Sequence, residues 1–216
     1  MADRRLGLLN QLEQGMPARP SGRAVVLAAR IVSATPQAVG NRDIPAIDPG
    51  AGIPGGRVVL SSAKAATVLD IMAWNTGESS DLRHYGNRTH AENQLVQFLR
   101  ATPVDSVGIE AIDVELSHSP CTACADMLRG WLSDAVAARS TGAREPSRRT
   151  GNRVLVGAPV RNAFPASLRW ARLYETQPQA TTPQCLDELH QAGWRMAAPR
   201  GAIPRSDYAR APITLL

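Results

Sequence analysis

Lysine is nearly absent: Lys64 is the only one among 24 basic residues, and arginine carries the rest of the positive charge. Aromatic residues are scarce as well, at 4% of 216. No stretch approaches the roughly twenty apolar residues that a membrane-spanning helix needs, so no membrane partner is expected. The opening segment MADRRLGLLNQLEQG holds two arginines but neither the apolar core nor the small-residue cleavage site of a secretory leader. The chain is therefore expected in the cytoplasm at synthesis, with a signal-independent export route left open. Three cysteines cannot all pair and no disulfide framework is visible, which fits a reducing compartment.

At 23.1 kDa the chain suits one main domain with an irregular extension. The net charge of +5 is carried by guanidinium forks, which bind phosphates through two bonds and stack on bases. That favours a polyanionic partner; a solvated arginine-rich surface is the other reading of the same excess.

Residues 35–56, TPQAVGNRDIPAIDPGAGIPGG, carry proline and glycine at a density that excludes a helix or a central strand. This makes 1–56 an N-terminal extension and linker, its runs LGLLNQL and AVVLAARIVSA supplying one or two helices, and 57–216 the main domain. After Arg57, RVVLSS and ATVLDIMAW suit two adjacent strands, or a strand and a helix. Residues 75–89 form a polar loop, and Thr89 can cap a helix beginning HAENQLVQFLR, with Ala91, Leu95, Phe98 and Leu99 on one apolar face.

The segment 107–116 alternates as a strand, and Pro120 suits the first turn of a second helix, CTACADMLRGWLSDAVAA. Residues 139–152 are a basic, breaker-rich insertion. RVLVGAPV and SLRWARLY are further strand candidates; PQCLDELHQAG is a short helix closed by Gly193, and WRMAA is the last strand. A helical crossover between SLRWARLY and WRMAA makes those two strands parallel. The expectation is an α/β fold, a mixed sheet with helices on both faces and no internal repeat.

Two motifs carry chemistry. In SHSPCTAC, Cys121 and Cys124 lie three apart on one helix face; in HAE, His90 opens the other helix. If both helices start at the same end of the sheet, His90, Cys121 and Cys124 offer one nitrogen and two sulfurs to a tetrahedral zinc. The fourth position stays open to water, as in catalytic sites. Glu92, two residues after His90, can then shuttle a proton without being a ligand.

Each motif alone has other readings: a zinc knuckle, a redox dithiol or a buried cysteine pair for CxxC, and chance for HxE. A structural zinc would want a fourth ligand; Cys185, His84, His118 and His190 can be nominated, but none has the paired spacing of a knuckle. In the order HAE then PCxxC, with a strand between and a helix start at each, the combination is specific, and it resembles the known signature of the zinc-dependent nucleobase deaminases.

The chain resembles the cytidine deaminase-like superfamily, and within it the AID/APOBEC polynucleotide cytosine deaminases and related bacterial deaminase toxin domains. His90-Ala91-Glu92 and Pro120-Cys121-Thr122-Ala123-Cys124 match the zinc and proton-shuttle motifs. Ser117-His118-Ser119-Pro120-Cys121 is similar to SWSPC, with His118 in place of tryptophan. Ala171-Arg172-Leu173-Tyr174 resembles ARLYY, and CLDELHQAGWRMA is similar to GLRxLxxAGxxVxxM. The resemblance spans about residues 60 to 200.

It implies a three-layer α/β/α fold with a mixed five-stranded sheet, its last two strands parallel. It also implies zinc on His90, Cys121 and Cys124, and Glu92 as general acid and base. Tyr174, Glu175, Ser119, His118 and Asn75, with Asn87 as a second candidate, would be the substrate contacts. The implied activity is hydrolytic conversion of cytosine to uracil, with DNA as partner, single-stranded first and duplex second, and RNA less favoured. A toxin of this class would also imply an immunity protein as partner.

Overall fold

A computed structural model describes residues 6–14, 25–37, 42–44, 56–60, 66–75, 90–101, 109–142, 165–175, 180–204 and 213–216. They form an α/β structure around one mixed sheet. In chain order the elements are helix α1 (Gly7–Gln14), strands β1 (Val26–Gln37), β2 (Arg42–Ile44), β3 (Gly56–Leu60) and β4 (Ala66–Trp74), and helix α2 (Ala91–Ala101). Then come β5 (Ile109–His118), α3 (Thr122–Gly142), β6 (Ala166–Arg172), α4 (Pro183–Gln191), β7 (Trp194–Ala198), a 3-10 turn (Arg200–Ala202) and β8 (Ile213–Leu215). The strand order is β2-β3-β4-β1-β5-β6-β7-β8, antiparallel from β2 to β5 and parallel from β5 to β8.

Among the described residues eight strands stand where five were expected, and the additions are β1, β2 and β8. WRMAA, which is β7, is therefore not the last strand. The strand candidate at 153–160 lies outside the described residues.

The largest correction is β1. AVVLAARIVSA is not helical; it is a strand inside the sheet, paired with β4 on one edge and β5 on the other. The expected division between 1–56 and 57–216 is thus crossed by the sheet's own hydrogen bonds. A strand buried on both faces reads as a continuous apolar run, which periodicity does not separate from a buried helix. Leu27, Ala29 and Ile31 enter one core, Val26 and Ala28 another. The strand also continues into the proline- and glycine-rich stretch as far as Gln37, and its pairing with β4 shifts register between Val32 and Gln37. A bulge of this kind is where a sheet tolerates proline, here Pro36.

The crossover between β6 and β7 is helical and the two strands are parallel, as the sequence predicts. Helix α4 has a capping box from Thr182 with proline in its first turn, and Gly193 follows its end at φ 110°, a conformation that favours glycine. Helix α3 runs to Gly142, four residues into the expected insertion 139–152.

Helices α2, α3 and α4 share one core with the inner sheet face, around Leu95, Leu128, Leu189, Trp170 and Trp194. Both indoles are satisfied: Trp170 Nε1 donates to the Ala202 carbonyl at 2.7 Å and Trp194 Nε1 to that of Leu128 at 3.3 Å. On the outer face, α1 lays Leu6, Leu9 and Leu12 over Val26, Ala28, Met72 and Trp74.

Glu115, buried on β5, accepts the Leu9 amide at 2.8 Å in the first turn of α1 and pairs with Arg169 at 3.6 Å. Carboxylate at a helix start is favoured by the orphan amides and the dipole. Glu115→Ala is expected to cost about 2 kcal/mol, since hydrogen bonds to charged groups contribute about 1.5–3. Urea unfolding should show a lower midpoint at unchanged slope.

Strands β4, β5 and β6 point the same way, so their ends at Trp74, His118 and Arg172 share one rim of the sheet. Helices α2 and α3 begin on that rim.

Candidate metal centre

His90 and Cys121 each precede the first residue of their helix, and each carbonyl accepts the first intrahelical bond, from the Gln94 amide at 3.1 Å and the Ala125 amide at 2.8 Å. Cys124 follows one turn into α3, beneath Cys121. Asn75, at the end of β4, accepts the Ala91 amide through Oδ1 at 2.8 Å and donates its own amide to the Val25 carbonyl at 3.1 Å. Asn75 therefore ties the start of α2 to the rim. Thr89, the expected cap, and Asn87 lie outside the described residues.

These supports bring the three candidate ligands together. His90 Nδ1 stands 3.2 Å from Cys124 Sγ and 3.6 Å from Cys121 Sγ, and one donor atom from each of the three lies within 4.8 Å of the others. All three residues are buried. Among the described residues no fourth histidine, cysteine or carboxylate joins the group; Cys185, His118 and His190 stay outside it, and His84 is not among the described residues. Cys185 instead closes the capping box of α4 as a buried core residue.

One nitrogen and two sulfurs brought together in this way could hold a metal ion. Nδ1 faces both sulfurs, so it is the ring nitrogen available to a metal, while Nε2 is buried with no hydrogen-bond partner among the described residues. The cysteines are free thiols in the structure, and their burial suits metal ligation better than exchange with an external disulfide.

Electrostatics couples the four groups. Cys121 is lowered to about 5, first by a hydrogen bond from Cys124, against the effect of burial, and then by His90. Cys124 is raised, because it supplies that bond, is buried and faces Glu92. Burial lowers His90, but the hydrogen bond with Cys121 and the charge of Glu92 outweigh it and leave it raised. Glu92 is 3% exposed, and burial, then the charge of Cys121, pushes it up to about 7. A carboxyl poised near neutrality is suited to taking and giving a proton.

The other expected contacts surround this centre unevenly. His118 is half-buried at the end of β5, opposite Arg172 of β6. Burial and then Arg172 lower its pKa, favouring the neutral ring. Tyr174 is half-buried and Glu175 exposed just beyond β6. Ser119 is 2% exposed, and its hydroxyl is committed to protein partners: it accepts the Tyr174 amide at 2.8 Å and lies 2.6 Å from Thr181 Oγ1. Thr181 was not legible as a site residue, since a lone threonine 62 positions from Ser119 carries no spacing signal.

No protein-family model matches the chain, and no curated protein is found to match it in sequence.

Proposed function

We propose that the chain is a zinc-dependent hydrolytic deaminase of the cytidine deaminase-like superfamily, converting cytosine to uracil in DNA. The observation that carries this reading is the meeting of His90, Cys121 and Cys124 at the starts of two helices, with the buried acid Glu92 in the first turn of one of them. Zinc held by these three would supply a Lewis acid and an activated water.

The chain's own residues do the rest. Glu92 would carry both protons of the attacking water: the first to ring N3, and the second, taken from the hydroxyl then standing on C4, to the departing amine. A C–O bond forms at C4, the C–N bond breaks, and ammonia leaves. Burial of Glu92 keeps bulk water from competing for that proton.

The polynucleotide branch is supported by the parallel pairing of β6 and β7, and by Thr122-Ala123 between the cysteines, where small-substrate members resembling this chain carry a glycine. Arginine-dominated charge suits a phosphate backbone. A base inside a duplex does not reach a buried centre, so the substrate is single-stranded or has its target nucleotide flipped out at a cost of a few kcal/mol.

The test is incubation of zinc-loaded protein with free cytidine, single-stranded DNA, duplex DNA and RNA, followed by measurement of uracil. Uracil in single-stranded DNA is the expected result. Turnover of free cytidine alone would place the chain with the small-substrate enzymes, and uracil in RNA alone would move the substrate class. One zinc per chain without ammonia release on any substrate would mark a non-enzymatic binding module.

A further inference from the structure

A buried hydroxyl pair joins the loop that follows β6 to the loop that carries Cys121. Thr181 is 6% exposed; its Oγ1 donates to the Pro120 carbonyl at 2.9 Å. A carbonyl only accepts, so the single proton of Thr181 is committed there. Ser119 must then donate across the 2.6 Å contact to Thr181 Oγ1, and its own oxygen accepts the Tyr174 amide. The proton order is therefore determined throughout: Tyr174 N–H to Ser119, Ser119 O–H to Thr181, Thr181 O–H to Pro120.

Two backbone bonds close the arrangement. The Thr181 amide donates to the Tyr174 carbonyl at 2.9 Å, and the Ser119 amide to the Arg172 carbonyl at 2.8 Å. Both backbone groups of Tyr174 are thus held by the pair, and the Pro120 carbonyl sits on the peptide bond leading into Cys121.

We infer that Ser119 and Thr181 are positioning residues that set the Cys121 thiol and Tyr174 in one register. This rests on the reading of the centre as a zinc deaminase, in which Cys121 is a ligand and Tyr174 lines the pocket. Neither hydroxyl touches the reacting atoms. Their contribution is orientation: an outer partner of a ligand limits where that ligand points. A valine at 181 keeps the shape but leaves a buried hydroxyl without an acceptor and a buried carbonyl without a donor.

The experiment compares Thr181→Val, Thr181→Ser and Ser119→Ala with wild type. Zinc affinity is measured by competition with a chromophoric chelator, the thiolate absorption of the cobalt(II)-loaded protein is recorded, and kcat and KM are taken per bound zinc. Thr181→Val and Ser119→Ala are expected to weaken zinc by about 10- to 100-fold and to alter the cobalt spectrum, whereas Thr181→Ser keeps wild-type values. Turnover per bound zinc should fall in the valine variant and return in the serine variant.

Wild-type zinc affinity in Thr181→Val, or a serine variant no better than valine, overturns the inference. If Thr181→Val does not fold, Ser119→Ala against Thr181→Ser decides by the same criterion. Should no variant, wild type included, deaminate any base, the functional reading fails while the order of zinc affinities still decides the role of the pair. A wild-type chain that binds no zinc overturns both.

Discussion

Glu92→Gln is expected to lower deamination by about a hundred- to ten-thousand-fold while leaving zinc at one per chain. Glutamine keeps the shape of the side chain but holds no exchangeable acid proton. Glu92 lies outside the group of His90, Cys121 and Cys124, so its amide leaves the ligand set intact. The variant should also be no less stable than wild type in the metal-free state. Burying a carboxylate carries a desolvation cost, seen in the upward displacement of Glu92 to about 7, and a neutral amide removes it. Loss of activity together with retained zinc and an unchanged or higher melting temperature would identify a group kept for chemistry at some expense of stability. Equal rates for wild type and variant would remove the proposed proton carrier, and with it the enzymatic reading.

Cys124→Ala is expected to abolish stoichiometric zinc. Taking structural sites at about 10–16 kcal/mol over four ligands, one ligand accounts for roughly 3 kcal/mol, which corresponds to a loss of at least about a hundredfold in affinity. Metal analysis after dialysis should find about one zinc per wild-type chain and almost none in the variant. Stability follows by mass action. Zinc at a hundred times its dissociation constant adds about 2.7 kcal/mol, so a chelator should lower the wild-type melting temperature and leave that of Cys124→Ala unchanged. A buried cysteine pair serving only as core, the plainest alternative for CxxC, predicts melting curves insensitive to chelator in both proteins. The two experiments are independent: zinc loss tests the ligand set, and Glu92→Gln tests the chemistry on an intact ligand set.

What was legible in the sequence was local. Cys121 and Cys124 fall on one helix face because they are three apart, and HAE marks a helix start through the pattern of Ala91, Leu95, Phe98 and Leu99 behind it. The parallel crossover from β6 to β7 followed from a helical pattern between two strand patterns. AVVLAARIVSA misled because a strand covered on both faces loses its alternation, and only its neighbours β4 and β5 reveal that it is paired. The bond from the Ala91 amide to Asn75 depends on two segments meeting 16 positions apart, which no local pattern shows.

The sequence by itself determined which side chains could hold a metal, since donor chemistry and helical spacing are properties of a few consecutive residues. Only the tertiary structure decided that His90 meets the two sulfurs, that Glu115 anchors α1, and that Ser119 reaches Thr181. Those contacts join residues 31 to 106 positions apart. Long-range pairing is set by how strands order in the sheet and by burial of both its faces, and no local pattern encodes it.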